Sequence, residues 1–186
     1  MTIKLLVINP GSTSTKIAVY EDEIPKWMES IPHSLEELKP FACVYDQLDM
    51  RCELVLQTVN KHGEKVEDFA AIVSRGGNLP PVSAGAYEVN EYMLDCLEHR
   101  PQDQHPSNVG AGVAYKIAAQ AGIKAYIYDP VTVDEMLPVY CVTGLKGIRR
   151  PARGHNLNMR AAALKLCQIK EIDYGKSNIM VAHLGG

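Results

Sequence analysis

The segment Asn9-Pro10-Gly11-Ser12-Thr13-Ser14-Thr15-Lys16 constrains this chain most, because of what flanks it. Leu5-Leu6-Val7-Ile8 precedes it and Ile17-Ala18-Val19-Tyr20 follows, two apolar runs of strand type. Such runs joined by a short polar turn form a β-hairpin. A glycine followed by hydroxyl side chains at a strand tip offers backbone N–H groups and short donors to an anion, phosphate above all. A nucleotide P-loop would need a second glycine directly before the lysine and a helix after it. Here Thr15 precedes Lys16 and a strand follows. An ordinary polar hairpin turn also satisfies the segment, so the tip alone does not decide.

At 186 residues the chain can bury a real core, and its length fits one domain or slightly more. The net charge is −3 and no basic stripe interleaves with aromatics, which gives no case for nucleic acid. No apolar run approaches the roughly 18 residues that cross a bilayer. The first residues hold one lysine and too short an apolar run for a signal peptide. Five cysteines, at 43, 52, 96, 141 and 167, are odd in number and widely spaced, with no C-x-x-C pair. They read as free, mostly buried thiols of a reducing cytoplasm, neither a disulfide framework nor a zinc site.

Further along, residues 26–31 read as a third strand. Ser34 with Glu37 forms a capping-box pattern that opens helical sequence, broken once, to about residue 62. Gly63 is a natural stop. Residues 70–74 make a short β-branched strand, and 78–86, rich in Pro, Gly and Ser, a loop. Val89, Tyr92, Met93, Cys96 and Leu97 fall on one helical face. A second helix runs from near Ser107 to Gly122, with Gly110, Ala111, Ala114 and Ala118 giving it a small side for close packing. Residues 125–128 are the next strand, 156–168 a helix and 179–182 a final strand. Four of these strands run out into polar groups: Asn9, Ser74-Arg75, Asp129 and His183. Where inner strands are parallel, ligands bind outside their carboxyl ends, so the four are expected to converge on one cleft.

The candidate groups are cations and N–H donors (Arg75, Lys16, His155, glycine amides), the hydroxyls of Ser12 and Ser14, and one carboxylate, Asp129. That inventory suits phosphoryl transfer, which needs charge stabilisation and in-line positioning more than covalent chemistry. Acyl transfer fits poorly, since no G-x-S-x-G elbow or Cys/His pair stands out. Gly110-Ala111-Gly112 lies inside a helix and is no dinucleotide fingerprint. His155 opens a helix, where the dipole disfavours imidazolium and favours a nearby anion; a capping or surface histidine reads the same way. His99 and His105 flank a Pro/Gln loop and read as solvated, while His33 and His62 sit at helix ends without an assigned role. Lys146, Arg149, Arg150 and Arg153 are either a solvated face or, being just before His155, an attractor for nucleotide.

Seven segments, taken in order, resemble the acetate and butyrate kinase family, and the butyrate kinases more closely, over essentially the whole chain. They are residues 7–16, Arg75-Gly76-Gly77, Tyr87-Glu88-Val89-Asn90-Glu91, His105-Pro106-Ser107-Asn108, residues 129–136, His155-Asn156-Leu157-Asn158 and His183-Leu184-Gly185-Gly186. Two details point away from acetate kinase, which usually reads His-Gly-Gly around its arginine and Leu-Gly-Asn in the second phosphate loop. Gly154 departs from the aromatic that butyrate kinases tend to carry before the histidine.

The resemblance implies an α/β fold of the actin/hexokinase (ribonuclease H-like) type, with a mixed central sheet flanked by helices. Residues 1–145 would form an N-terminal ATPase-fold domain and 146–186 the opening strand–helix–strand of a second such domain, with an apolar face exposed. It also implies roles residue by residue. Asn9, Ser12, Ser14 and Lys16 would lie near the transferring phosphate and Mg²⁺. Arg75 would bind the substrate, Asp129 would stand near metal and substrate, and His155 would act on the transition state. His183, Gly185 and Gly186 would open the second phosphate loop. Asn9 and Asp129 would be the residues nearest Mg²⁺.

The implied reaction moves the γ-phosphoryl group of ATP to butyrate, giving butyryl phosphate and ADP. A fatty carboxylate has a pKa near 4.3, about that of Glu, so no base is needed to ionise it. Asp129 therefore reads as a metal or positioning residue. Acetate, propionate or branched-chain acids are alternative acceptors, and an inert fragment that only binds phosphate or acyl phosphate is another reading. An actin- or chaperone-like ATPase is disfavoured by Arg75-Gly76-Gly77 together with His155-Asn156-Leu157-Asn158. The implied partners are a small carboxylate and a nucleotide, in a homo-oligomer of the full-length form. The family's proteins are longer than this chain, so the adenosine pocket is expected outside these residues.

Overall fold

The computed structural model describes residues 2–101 and 103–184. The hairpin forms as expected: β1 (Lys4–Pro10) pairs antiparallel with β2 (Ser14–Glu21), with Asn9 opposite Lys16 and Pro10 opposite Thr15. β3 (Ile24–Pro32) extends it into a meander. α1 (Leu35–Leu38) starts on the capping box: Glu37 N donates to Ser34 Oγ at 3.1 Å, and Ser34 N to Glu37 Oε2 at 2.7 Å. α2 (Leu48–Lys61) follows after a break and stops before Gly63, whose φ of 71° suits glycine.

Then come β4 (Ala71–Arg75), β5 (Ala86–Glu88), α3 (Glu91–His99), α4 (Asn108–Ala121), β6 (Lys124–Tyr128) and α5 (Asn156–Lys170). The sheet order is β3-β2-β1-β4-β6-β5, with β1, β4 and β6 parallel and antiparallel strands at both sides. This is the expected mixed sheet. Three parallel carboxyl ends therefore lie side by side, and the residues that follow them emerge on one edge of the molecule.

Strand alternation decides which face is core. Leu6 and Ile8 of β1, Ile17 and Val19 of β2, Ile72 of β4 and Ile127 of β6 are buried against Val55 and Val59 of α2 and Val109, Val113 and Ile117 of α4. Asn9, Lys16 and Arg75 are out of phase with these and face the other way. The small side of α4 lets it press onto the strand ends. A Cβ on Gly110 would lie 2.5 Å from Ser74 Oγ, 2.9 Å from Arg75 O and 3.1 Å from Pro10 Cγ. No larger residue could sit there with β1 and β4 unmoved.

Three expectations need correction. Tyr92 is exposed; its ring carries the Arg100 guanidinium at 5.5 Å, while Met93, Cys96 and Leu97 take the buried face of α3. Residues 179–182 form no strand, because no strand among the described residues supplies a ladder for their backbone groups, and Met180 is exposed. The loop expected over 78–86 gives way at its end to β5, three residues held antiparallel to β6. Four cysteines are buried, Cys43 is exposed, and all are free. Among the described residues no helix is long and apolar enough to cross a membrane.

Candidate active site

Asn9, Lys16, Arg75, Asp129 and His155 line one cleft of about 400 Å³, together with Val131, Ala161 and the segment 154–158 around His155. Ser12 and Ser14 stand at the hairpin tip, outside its lining. Gly185 and Gly186 lie outside the described residues. A larger cavity of about 780 Å³ opens on the α2–α4 side, lined by Tyr45, Leu48, Leu94 and Tyr115. It contains none of the strand-end groups. Burial there pushes the Tyr45 hydroxyl up to about 12.

Asn9 and Lys16 are cross-strand partners, so the hairpin sets their side chains next to each other on the face away from α4. The tip between them is a tight turn in which Gly11 N donates to Ser14 O at 2.7 Å. His33 N donates to Thr13 O at 2.8 Å, tying the tip to the end of β3. The backbone amides of Ser12 and Thr13 donate to no group among the described residues.

Asp129 follows β6 with a φ of 38°, an uncommon conformation for a residue with a Cβ. Its carboxylate is buried. Oδ1 accepts from Gly85 N at 2.8 Å. Arg160 Nε lies 2.7 Å from Oδ2 but off the N–H line, so the ion pair leaves that oxygen without a directed hydrogen bond. One buried carboxylate oxygen thus retains accepting capacity, with the side chain of Asn9 lining the same cleft. Among the described residues no three carboxylates, histidines or cysteines are grouped so that they could hold a metal ion by themselves. This donor set fits Mg²⁺, which takes one or two protein oxygens and completes its shell with water and substrate phosphates. It does not fit a metal that needs an all-protein cage.

His155 is the N-cap of α5, set there by Gly154 N donating to Val131 O at 3.0 Å. Arg75 Nη2 lies 3.2 Å from His155 Nδ1. A guanidinium only donates, so Nδ1 is the acceptor and the ring proton sits on Nε2. Desolvation, then His183, then Arg75 hold the His155 pKa below the ordinary range. A neutral ring with a free Nε2–H results, which donates to an anion at neutral pH. His183 stacks on it with centroids 4.3 Å apart and planes 20° apart, from coil where a strand was expected. Burial lowers the Arg75 pKa as well, yet leaves it a cation.

Two residues escaped the reading of the sequence. His105 is half-buried, not solvated: its Nδ1 accepts from Ser107 N at 3.1 Å and contacts Ser107 Oγ at 2.7 Å. Burial, followed by Arg75 and His155, holds its pKa down, which puts it beside the same cluster. Arg51 is 1% exposed, under the hairpin tip. Its Nη2 donates to Gly11 O at 2.9 Å and its Nη1 to Thr15 Oγ1 at 2.7 Å. A signal existed. Arg51 leads the stripe Val55, Thr58, Val59 at i, i+4, i+7 and i+8 on α2, so its charge points inward. The basic patch at Lys146, Arg149 and Arg150 is exposed and does not line the cleft.

Against known proteins, the whole chain aligns at 42% identity with butyrate kinase 2 of Clostridium acetobutylicum. Over its whole length the chain is similar to that butyrate kinase. It spans about half the length of the curated relative it matches, 52%. No family model matches. Among solved structures, acetate kinase from Porphyromonas gingivalis superposes with a TM-score of 0.64 at 17% identity, covering 94% of this chain and 51% of that one. A propionate kinase from Francisella tularensis gives 0.56 at 15% identity, covering 92% and 50%. Acetate kinase from Entamoeba histolytica gives 0.53 at 13%, covering 89% and 46%. At such identities the solved structures speak for the fold, and they agree with the actin/hexokinase-type sheet. The butyrate kinase relationship rests on the sequence match.

Proposed function

We propose that this chain carries the acyl-acceptor side of a short-chain fatty-acid kinase, which transfers the γ-phosphoryl group of ATP to butyrate. The observation that carries the reading is the pairing of Arg75 with a neutral His155 across a cleft that also holds Asn9, Lys16 and Asp129. A carboxylate oxygen of the acid attacks the γ-phosphorus while the bond to the bridging oxygen breaks. That electron pair leaves on the β-phosphate of ADP, and no proton moves. The substrate is already ionised at neutral pH. Hence no general base is assigned.

Arg75 holds the acid carboxylate in two-point geometry. His155 Nε2–H and Lys16 meet the equatorial oxygens, where charge builds in the transition state. Mg²⁺, held through Asp129 and Asn9, would neutralise the charge shared by the β- and γ-phosphates. Asp129 fixes position and does not take a proton. His183, with Gly185 and Gly186 beyond it, would open a second phosphate loop. In this reading residues 1–145 are the first domain and 146–186 begin a second. Acetate, propionate and branched-chain acids compete for the same pocket, because one methylene is worth only about 1–3 kcal/mol of discrimination.

One observation favours a second reading, binding of phosphate or acyl phosphate without turnover: the chain spans about half of its curated relative. A trapping assay separates the two. The chain is mixed with ATP, Mg²⁺, butyrate and hydroxylamine, with acetate and propionate in parallel. Hydroxamate from butyrate supports the kinase and ranks the acids. Its absence, alongside measurable binding of butyryl phosphate, supports the second reading.

A further inference from the structure

Arg51 is the largest fully buried side chain of the described residues, and its guanidinium forms no ion pair with a carboxylate among them. Its partners are neutral: Gln47 Oε1 accepts from Nε at 3.1 Å and from Nη2 at 2.8 Å, beside the bonds to Gly11 O and Thr15 Oγ1. Even His33 contributes no charge. Arg51 Nη1 also lies 3.4 Å from His33 Nε2, and a guanidinium only donates, so that nitrogen is unprotonated and takes the Thr15 hydroxyl proton at 2.8 Å. Burial pulls the Arg51 pKa down only to about 10, which leaves the cation intact at neutral pH. A buried charge held by dipoles alone is costly, and proteins ordinarily pair it.

The place where this charge is kept suggests its use. Two of the groups that Arg51 grips, the Gly11 carbonyl and the Thr15 hydroxyl, bracket the tip whose Ser12 and Thr13 amides have no partner among the described residues. We propose that Arg51 is a positioning residue of the hairpin tip and that its unpaired buried charge is the electrostatic partner of the phosphate bound there. The absence of a carboxylate around it is then functional, since a counter-ion would cancel the field reaching the tip through a low-dielectric interior. This rests on reading the tip as a phosphate site.

Gln47→Glu tests the charge without removing the arginine. The two side chains are nearly isosteric, and the carboxylate can keep both hydrogen bonds that Gln47 Oε1 accepts. Inorganic phosphate is titrated calorimetrically into the wild-type chain, Gln47→Glu, Arg51→Gln and Arg51→Lys, with thermal melts confirming that each is folded. The expected result is phosphate affinity about tenfold weaker in Gln47→Glu despite an unchanged or raised melting temperature, and a recovery toward wild type in Arg51→Lys relative to Arg51→Gln. A merely structural role predicts a shifted melt and unchanged affinity for the folded variants. Wild-type affinity in Gln47→Glu overturns the inference while the phosphate site stands. No phosphate binding by the wild-type chain overturns the site itself.

Discussion

Gly110→Ala is the substitution that most sharply tests how the fold sets the cleft. In a helix interior, alanine should stabilise by about 1 kcal/mol over glycine. The surroundings oppose this. The new Cβ would sit 2.5 Å from Ser74 Oγ and 2.9 Å from Arg75 O. Ser74 is not free to rotate without loss, because its hydroxyl donates to Ile8 O at 3.1 Å, and Arg75 O is backbone. Overpacking of this kind costs about 1–3 kcal/mol, and a backbone obstacle puts Gly110 at the upper end. The net expectation is a loss of about 2 kcal/mol.

Gly112→Ala, two residues along the same helix, is the control. Its Cβ meets Tyr45 Oη at 2.9 Å and Leu48 Cδ1 at 3.1 Å, the far ends of side chains that can swing away. The propensity gain should offset most of that strain, leaving a change within about 0.5 kcal/mol. Urea unfolding followed by circular dichroism measures both, with the slope checked for constancy. Because a Cβ at Gly110 would press on Ser74, Arg75 and Pro10, phosphate affinity should fall in Gly110→Ala and hold in Gly112→Ala. Equal stability of the two variants would refute the claim that α4 presses the strand ends into place.

Three further outcomes follow from the same geometry. Arg75→Lys should lose most acyl hydroxamate formation in an active preparation, since a point charge cannot hold the carboxylate at two points; wild-type turnover would remove Arg75 from the site. Asp129→Asn should abolish Mn²⁺ binding measured by paramagnetic broadening and lower unfolding free energy by about 2–3 kcal/mol, because Arg160 loses its buried partner. The variant should still fold, since Asn tolerates the 38° φ and its oxygen can still accept from Gly85 N. Stability should also fall with acid through His33, whose folded pKa is lowered first by burial and then by Arg51, with Glu37 opposing. The unfolded chain then binds the proton more readily. Hence the contribution of His33 is complete above about pH 6.5 and is lost as pH drops through the lower folded value. Urea midpoints between pH 7.5 and 5 should decline less steeply in His33→Gln, and parallel slopes would count against the network at Thr15.

What could be read from the sequence was what is local. The hairpin, the Ser34–Glu37 box and the Gly122 end of α4 are decided within a few residues, and the structure has them. Arg75 and Asp129 could be placed because a polar group ending an apolar strand announces itself without knowledge of its neighbours. The failures were all matters of tertiary company. Residues 179–182 have strand composition, but composition does not supply a pairing partner. His105 looked solvated beside Pro101 and Pro106, and only the fold brings Arg75 and His155 near it. Tyr92 fits the apolar periodicity of α3, yet its ring lies outside the core against the Arg100 guanidinium, while Met93 beside it is buried.

Charge shows the same limit, in a form that bears on function. A net charge of −3 suggests no affinity for polyanions, and as an average that is sound. An active site answers to local field, however, and the fold redistributes this charge. Lys16 and Arg75 face one cleft whose only carboxylate, Asp129, is already matched by Arg160 at 2.7 Å. Arg51 adds a third cation beneath the hairpin tip, screened much less by salt because it is buried. Lys4 and Lys26, by contrast, are matched at Glu64, on a part of the sheet away from the cleft. The acidic excess is therefore spent elsewhere on the surface. The cleft holds more positive charge than negative, which is the condition a triphosphate requires and which no sum over the sequence reveals.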